Sequence, residues 1–130
     1  MAEIYGTRES KEITLISLAE TTTVSSPEKI TGFSDVAFHL KGTGGVATGS
    51  AVFYVQVADN IDEDVWIDYN MLVDNVPTNG SAIVSSKTID ATGTSNIVWM
   101  SSGAFSKYVR MRCVWNTDGT YTAVLLCNTA

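Results

Sequence analysis

The chain has 130 residues, about the size of one ordinary domain. Eight Lys and Arg against fourteen Asp and Glu give a net charge of -6 at pH 7, so the overall field repels nucleic-acid phosphates and anionic lipid. No apolar run approaches the roughly 18 residues of a membrane span, and residues 1–10 lack the apolar stretch of a signal peptide. We therefore expect no nucleic-acid partner, no membrane association and no cleaved secretion signal.

The residue types favour strands. The chain contains sixteen Thr, fourteen Val and nine Ile, and β-branched side chains fit a pleated surface better than a helix. Residues 9–20 admit a helical interpretation, but alternation through Ile13 and Leu15 favours a strand. No domain boundary is visible. We expect an N-terminal arm over residues 1–11, either frayed or ordered only against a neighbouring subunit, and a β domain over residues 12–130.

In chain order, short apolar or alternating segments separated by polar turns predict eight or nine strands. They fall at 12–18, 29–31, 35–41, 49–58, 65–70, 82–90, 95–101, 107–115 and 120–128. In the fourth of these, one face consists of Ala51, Phe53, Val55 and Val57, which is typical of a central strand. Such spacing predicts an all-β fold, a single-domain antiparallel β-sandwich or jelly roll.

The last two strands also bear on the cysteines. Asp118-Gly119 is a strong hairpin signal, so we expect residues 107–115 and 120–128 to pair with each other. Cys113 then faces residues 122–124, and Cys127 lies on the order of 10–17 Å further along, beyond disulfide reach. The pattern predicts two buried, reduced thiols and a reducing compartment.

Chemistry-bearing motifs are few. His39 is the one histidine, and neither a zinc-ligand spacing, a G-x-S-x-G elbow nor a dinucleotide-binding glycine motif is present. We expect no catalytic residues, no cofactor and no metal site of these kinds, and hence no enzyme. The acidic run at 59–64, followed by Asp68, has two interpretations: a calcium site or a solvated turn between strands. The spacing does not match an EF-hand, which favours the solvated turn.

Three tryptophans are the other candidates: Trp66, Trp99 and Trp115. Large aromatics in a β domain of this size are usually part of the core, and we expect this for all three. Trp66 differs because it shares a strand face with Asp68 and Asn70, directly after the acidic run. If the protein is a binding module, these three residues are its predicted ligand platform.

Two blocks of the chain carry a longer pattern. In the first, an apolar strand leads through an acidic, Asn-containing turn to a Trp-containing strand; in the second, a Lys-Tyr-Val-Arg-x-Arg segment enters the final strands. The residues concerned are Val55, Val57, Asp59, Asn60, Val65 and Trp66, then Lys107, Tyr108, Val109, Arg110, Arg112, Gly119 and Val124. With these blocks, residues 35–128 resemble a family of small structural proteins of tailed-bacteriophage virions that have jelly-roll or β-sandwich folds.

The resemblance implies a subunit of a phage particle, made in the host cytoplasm and located on the capsid surface. A free-standing chain with its own arm favours a capsid decoration (cement) protein that binds and stabilises the outer shell. The implied partners are the major capsid protein, or another virion protein, and further copies in a homotrimer. Ile4, Tyr5 and Phe105 are candidate interface residues, although Phe105 fits equally well as a plug at the end of the barrel. The alternative is a tail or fibre component, or a carbohydrate- or receptor-binding module.

Overall fold

The computed structural model describes residues 10–33, 35–46, 48–60, 65–75, 80–93, 95–100 and 107–128, with the backbone alone for 72–75 and 80–83. These residues form twelve β-strands and no helix. The strands are β1 (Ser10–Ala19), β2 (Thr23–Val24), β3 (Glu28–Lys29), β4 (Asp35–Thr43), β5 (Ser50–Ala58), β6 (Ile67–Tyr69), β7 (Met71–Asn75), β8 (Gly80–Val84), β9 (Lys87–Asp90), β10 (Ser95–Met100), β11 (Tyr108–Thr117) and β12 (Thr120–Asn128).

The strands form two sheets. Sheet I has the order β1-β12-β4-β10-β7-β8, and sheet II has the order β2-β11-β5-β6, with β3 also pairing with β11 and β9 with β5. Every pairing between described strands is antiparallel. The protein is thus a single-domain antiparallel β-sandwich, which confirms the predicted fold class. Within the described part of the chain there is no helix long and apolar enough to cross a membrane.

The core lies between the sheets and is built from alternate residues of the long strands. In β5 the predicted apolar face is buried as expected, and Ala51, Phe53 and Val55 are fully inaccessible to solvent. From sheet I, Phe38 and Leu125 close the core from the opposite side. Burying each of the larger side chains, such as Phe53, Val55 and Leu125, contributes about 1.5–3 kcal/mol, so this layer provides the main stabilisation of the domain.

The strand interpretation of residues 9–20 is confirmed, and β1 begins at Ser10, two residues earlier than expected. Lys11, assigned from the sequence to the arm, is therefore part of the sheet. Its Nζ lies 3.3 Å from Oε1 of Glu28 and donates a hydrogen bond to the carbonyl of Lys29 at 3.0 Å. Residues 1–9 lie outside the described residues.

The predicted hairpin at Asp118-Gly119 is wrong. The turn is there, with positive φ at both positions (48° and 87°), the signature of a type I′ turn. However, β11 pairs with β5 in sheet II, whereas β12 pairs with β4 and β1 in sheet I. The two strands separate directly after the turn because each adds its apolar face to the same core from opposite sheets. The Tyr121 hydroxyl fixes the turn by donating a hydrogen bond to the Asp118 carbonyl at 2.7 Å.

Both cysteines are nevertheless buried and free, as predicted. The reason for their separation differs from the predicted one. Cys113 lies in sheet II and Cys127 lies in sheet I, so the two residues are not on paired strands of a hairpin. Burial raises the pKa of each thiol from 9.0 to about 11. The two thiols are therefore protonated and unreactive at neutral pH.

Two further segments differ from the prediction because the chain changes sheets within them. The segment 82–90 is two strands, β8 in sheet I and β9 in sheet II, separated at Ser85-Ser86. Likewise β6 in sheet II passes through Asn70 into β7 in sheet I. The polar stretch at 74–81 contains the ends of the paired strands β7 and β8. Such corners raise the number of described strands above the expected eight or nine.

The glycine-rich segment after β4 is packed rather than a flexible turn. Gly45 and Gly49 lie on either side of Ala91, which is fully buried. The Gly45 N–H donates to the Ala91 carbonyl at 3.0 Å, and the Ala91 N–H donates to the Gly49 carbonyl at 3.1 Å. A Cβ at Gly45, Gly49 or Gly119 would lie only 2.6, 2.9 or 2.5 Å from the Ala91 Cβ. Glycine is required there because three backbone segments converge on one methyl group.

Candidate functional site

The first candidate surface is the outer face of sheet I. Alternate residues of β4, β10 and β12 point into the core, so those between them point outwards. Six outward residues in the middle of these strands are Ala37, His39, Ile97, Trp99, Val124 and Leu126, and we call this set the apolar face. Five of the six are apolar, whereas the solvent side of an antiparallel sheet ordinarily carries polar residues. The outward positions beyond them on the same strands are polar: Asp35, Lys41, Ser95, Thr122 and Asn128.

Pairing between the strands arranges the apolar face in two adjacent rows. Trp99 pairs with Ala37, which pairs with Leu126 on its other side. Ile97, His39 and Val124 form the next row in the same manner. A hydrogen bond joins His39 Nε2 to the Ser95 hydroxyl at the edge of the second row.

Two residues of the apolar face remain substantially open to solvent. Trp99 is 39% exposed and Ile97 is 48% exposed, while Ala37, between Trp99 and Leu126, is 2% exposed. The expectation that Trp99 belongs to the core is therefore wrong. Contiguous exposed apolar surface on a soluble domain is typical of a protein contact, so this face is a candidate interface.

The second candidate surface lies on the outer face of sheet II. It consists of Tyr54, Gln56, Trp66, Asp68, Arg110 and Arg112, and we call it the arginine face. Register places Gln56 of β5 between Asp68 of β6 and Arg110 of β11, and Tyr54 beside Arg112. The buried alternates of β5 and β11, such as Val55 and Met111, point to the core on the other side.

A chain of polar contacts crosses the arginine face. The Arg110 Nε–H donates a hydrogen bond to Gln56 Oε1 at 2.8 Å, and Gln56 Nε2 donates to Asp68 Oδ1 at 2.9 Å. The Arg110 guanidinium also lies 4.5 Å from the centre of the Trp66 ring, and the Arg112 guanidinium lies 5.1 Å from that of Tyr54. Both distances are within cation–π range.

The predicted ligand platform is thus only partly assembled. Trp66 and Asp68 share the outer face of sheet II, but Arg110 stacks on the Trp66 ring and Gln56 binds the Asp68 carboxylate. Asn70 is exposed at the corner where the chain leaves sheet II. Trp66 is half-buried in this contact, not in the core as expected.

Sequence reasoning missed Gln56 and Arg110 as site residues. The alternation of residues along β5 and β11 predicts only that Gln56 and Arg110 lie on the opposite side of their strands from the buried apolar residues. Their meeting depends on the pairing of two strands more than fifty residues apart, which no local signal specifies. Burial lowers the pKa of Arg110 from its ordinary value, in line with its enclosed position between Gln56 and Trp66.

A third feature is an open depression of about 560 Å³ at one end of the sandwich. Glu20, Trp115 and Asp118 are among its lining residues. Trp115 is half-buried against the core, and its indole N–H donates to the Gly119 carbonyl at 3.0 Å. Asp118 Oδ2 accepts a hydrogen bond from the Val46 N–H at 2.9 Å. These polar groups are thus committed to holding the turn.

The remaining sequence candidates fall on other parts of the chain. Ile4, Tyr5, Phe105 and residues 61–64 of the acidic run lie outside the described residues, so their predicted roles stay predictions. Asp59 and Asn60, which begin the acidic run, are exposed. Among described residues no group of three His, Cys, Asp or Glu is arranged to hold a metal ion.

The comparisons with known proteins bear on the fold. No protein-family model matches the sequence, and no curated protein matches it. Among solved structures, the chain is similar to the SPBc2 prophage-derived protein YomS, with a TM-score of 0.67 and 15% identity. The alignment covers 99% of this chain and 98% of that one. At this identity the likeness establishes a shared fold over the whole length.

Proposed function

We propose that this protein is a non-enzymatic structural component of a tailed-phage particle: a capsid decoration (cement) protein of the jelly-roll class that binds and stabilises the outer shell. The observation that carries the phage assignment is the end-to-end structural likeness to a prophage-derived protein. The sequence resemblance of residues 35–128 to phage structural proteins supports it independently. On this proposal the protein is made in the host cytoplasm and ends on the capsid surface.

The apolar face supports the binding part of the proposal. Ile97 and Trp99 are exposed in the middle of a sheet, and Leu126 continues the same surface. A decoration protein binds its shell through surface that becomes buried in the contact, and an exposed apolar face is suited to such burial. We assign the major capsid protein as the occupant of this face. Ile4 and Tyr5 of the arm are proposed as additional anchors.

Co-sedimentation with undecorated shells of the source phage tests the proposal. The wild-type protein should pellet with shells, and Trp99→Ser should lose most of this binding. An aromatic residue at the centre of an interface typically contributes about 2 kcal/mol or more, which corresponds to roughly thirtyfold in affinity. Ile67→Thr is the matched control, because Ile67 is 64% exposed on sheet II, away from the apolar face.

The outcomes are separable. Binding that is lost in Trp99→Ser and retained in Ile67→Thr supports the assignment of the face. No binding by the folded wild-type protein contradicts the decoration role, and equal binding by all three proteins contradicts the assignment of the face. The proposed homotrimer is tested by size-exclusion chromatography with light scattering, where we expect about three times the chain mass.

A further inference from the structure

The arginine face carries two neighbouring positive charges. Arg110 and Arg112 occupy alternate positions on one side of β11 in a protein of net charge -6. Among the described residues, an ion pair joins Lys11 and Glu28. Neither arginine has a described carboxylate oxygen within 4.0 Å of its guanidinium nitrogens. An acidic protein thus keeps two neighbouring guanidinium groups without a described counter-ion.

Arg110 is held in a fixed orientation. Its Nε–H is bound to Gln56, whose side chain is itself fixed by Asp68 and is only 8% exposed. The guanidinium plane also rests on the Trp66 ring. No described residue accepts a hydrogen bond from the two terminal amino groups of Arg110. A guanidinium that is oriented in advance loses less conformational freedom when it receives a bidentate oxyanion.

Arg112 repeats the arrangement one step along the strand. Its guanidinium lies over Tyr54, the next outward residue of β5 after Gln56. Residues two apart on an antiparallel strand are separated by about 6.8 Å. Alternate side chains of any extended peptide have this same spacing. The strand positions that carry the two arginines therefore have the same spacing as two carboxylate-bearing residues at alternate positions of an extended segment.

Asp68 narrows the class of ligand. Its exposed carboxylate is held by Gln56, which lies between Asp68 and Arg110, and it repels further negative charge on the β6 side of the face. A continuous polyanion such as a nucleic acid is disfavoured by this charge and by the net charge of the protein. An extended segment that runs along β11 places its carboxylates over the two arginines, on the far side of Gln56 from Asp68.

We propose that the arginine face binds an extended, acidic protein segment in which Asp or Glu occupies alternate positions, each carboxylate being received by one of Arg110 and Arg112. The proposal goes beyond the proposed function and does not depend on it. It assigns to sheet II a contact separate from the apolar face of sheet I.

Fluorescence polarisation with the full-length protein tests this site. The probe is a labelled synthetic peptide in which Glu alternates with Thr, compared with a peptide of equal composition that has its Glu residues contiguous and with a Gln-for-Glu version. We expect the alternating peptide to bind best and the Gln version not to bind. Arg110→Lys keeps the charge but removes the planar fork, so binding should weaken by about tenfold. Lys107→Gln, which removes one exposed charge outside the face, should have little effect.

The result that would overturn the proposal is equal weakening by Arg110→Lys and Lys107→Gln, which indicates general charge attraction. Absence of any binding by the alternating peptide, or tighter binding of single-stranded DNA than of the peptide, also overturns it. Thermal unfolding of each variant verifies the fold, and Arg112→Lys provides a second independent variant. Shell co-sedimentation does not use this face, so failure here leaves the decoration proposal standing.

Discussion

Substitution of Gly119 by Ala should destabilise the domain far more than the same substitution at Gly93. The two glycines have nearly the same backbone conformation, with φ of 87° and 88°. An L-residue in this region costs roughly 1–2 kcal/mol at either position. Their surroundings differ: a Cβ at Gly93 meets nothing within 4 Å, whereas a Cβ at Gly119 lies 2.5 Å from the Ala91 Cβ and 3.1 Å from the Thr43 carbonyl oxygen.

The additional cost at Gly119 follows from that contact. Carbon atoms in ordinary contact are about 3.5–4.0 Å apart, so one of the two methyl groups must move by roughly 1 Å. Ala91 is fully buried and cannot move freely, and overpacking of this kind costs about 1–3 kcal/mol. We therefore expect Gly119→Ala to lose about 1–3 kcal/mol more than Gly93→Ala, with a Tm lower by roughly 4 °C per kcal/mol.

Urea unfolding followed by circular dichroism measures both free energies under the same conditions. Adding Ala91→Gly removes the clashing methyl group, so in the Gly119→Ala background it should recover part of the stability that was lost. A double-mutant cycle isolates this coupling from the separate cost of Ala91→Gly. Equal losses at the two glycines, or zero coupling between Gly119 and Ala91, would refute the packing argument.

Three further predictions concern the turn, the thiols and the arm. Tyr121→Phe should cost about 1 kcal/mol in urea unfolding, because it removes the hydrogen bonds that the Tyr121 hydroxyl donates to the Asp118 carbonyl at 2.7 Å and to the Thr117 carbonyl at 3.3 Å; a loss above about 3 kcal/mol would contradict this. The pKa of Cys113 and Cys127 is raised from 9.0 to about 11, so their stabilisation is complete below pH 9 and is lost as the pH rises through 11. The unfolding free energy should therefore fall less between pH 9 and pH 11 in the double Cys→Ala variant than in the wild-type protein. An equal fall in both proteins would be evidence against this role of the thiols. Deleting residues 1–9 should leave thermal unfolding intact, because β1 begins after them, while weakening shell co-sedimentation; undiminished binding would exclude a role for the arm.

The class of fold and the buried faces could be predicted because they depend on local alternation. The apolar face of β5 and the strand character of residues 10–19 are examples. Strand partners could not be predicted in the same way. A type I′ turn at Asp118-Gly119 is encoded locally, but whether the flanking strands pair or part depends on distant strands that compete for their edges. Here β11 pairs with β5 and β12 pairs with β4, so β11 and β12 do not pair with each other.

The same difference between local and long-range information applies to the candidate sites. Trp66, Asp68 and Asn70 were identifiable because they follow one another on a short segment. Gln56 and Arg110, which connect to two of them, enter the site only through the β5–β11 register. Trp99 was misassigned to the core because a tryptophan on a strand gives the same signal on an inner and an outer face. Only the register with Ala37 places it outside.

The central claim is that the protein is a structural component of a phage particle. Quantitative mass spectrometry of purified particles from the source phage tests it most directly. The account predicts that the chain is retained through purification in many copies, at a fixed ratio to the major capsid protein, and that it is removed together with the outer decoration layer. Its absence from purified particles in which the other structural proteins are complete would contradict the account.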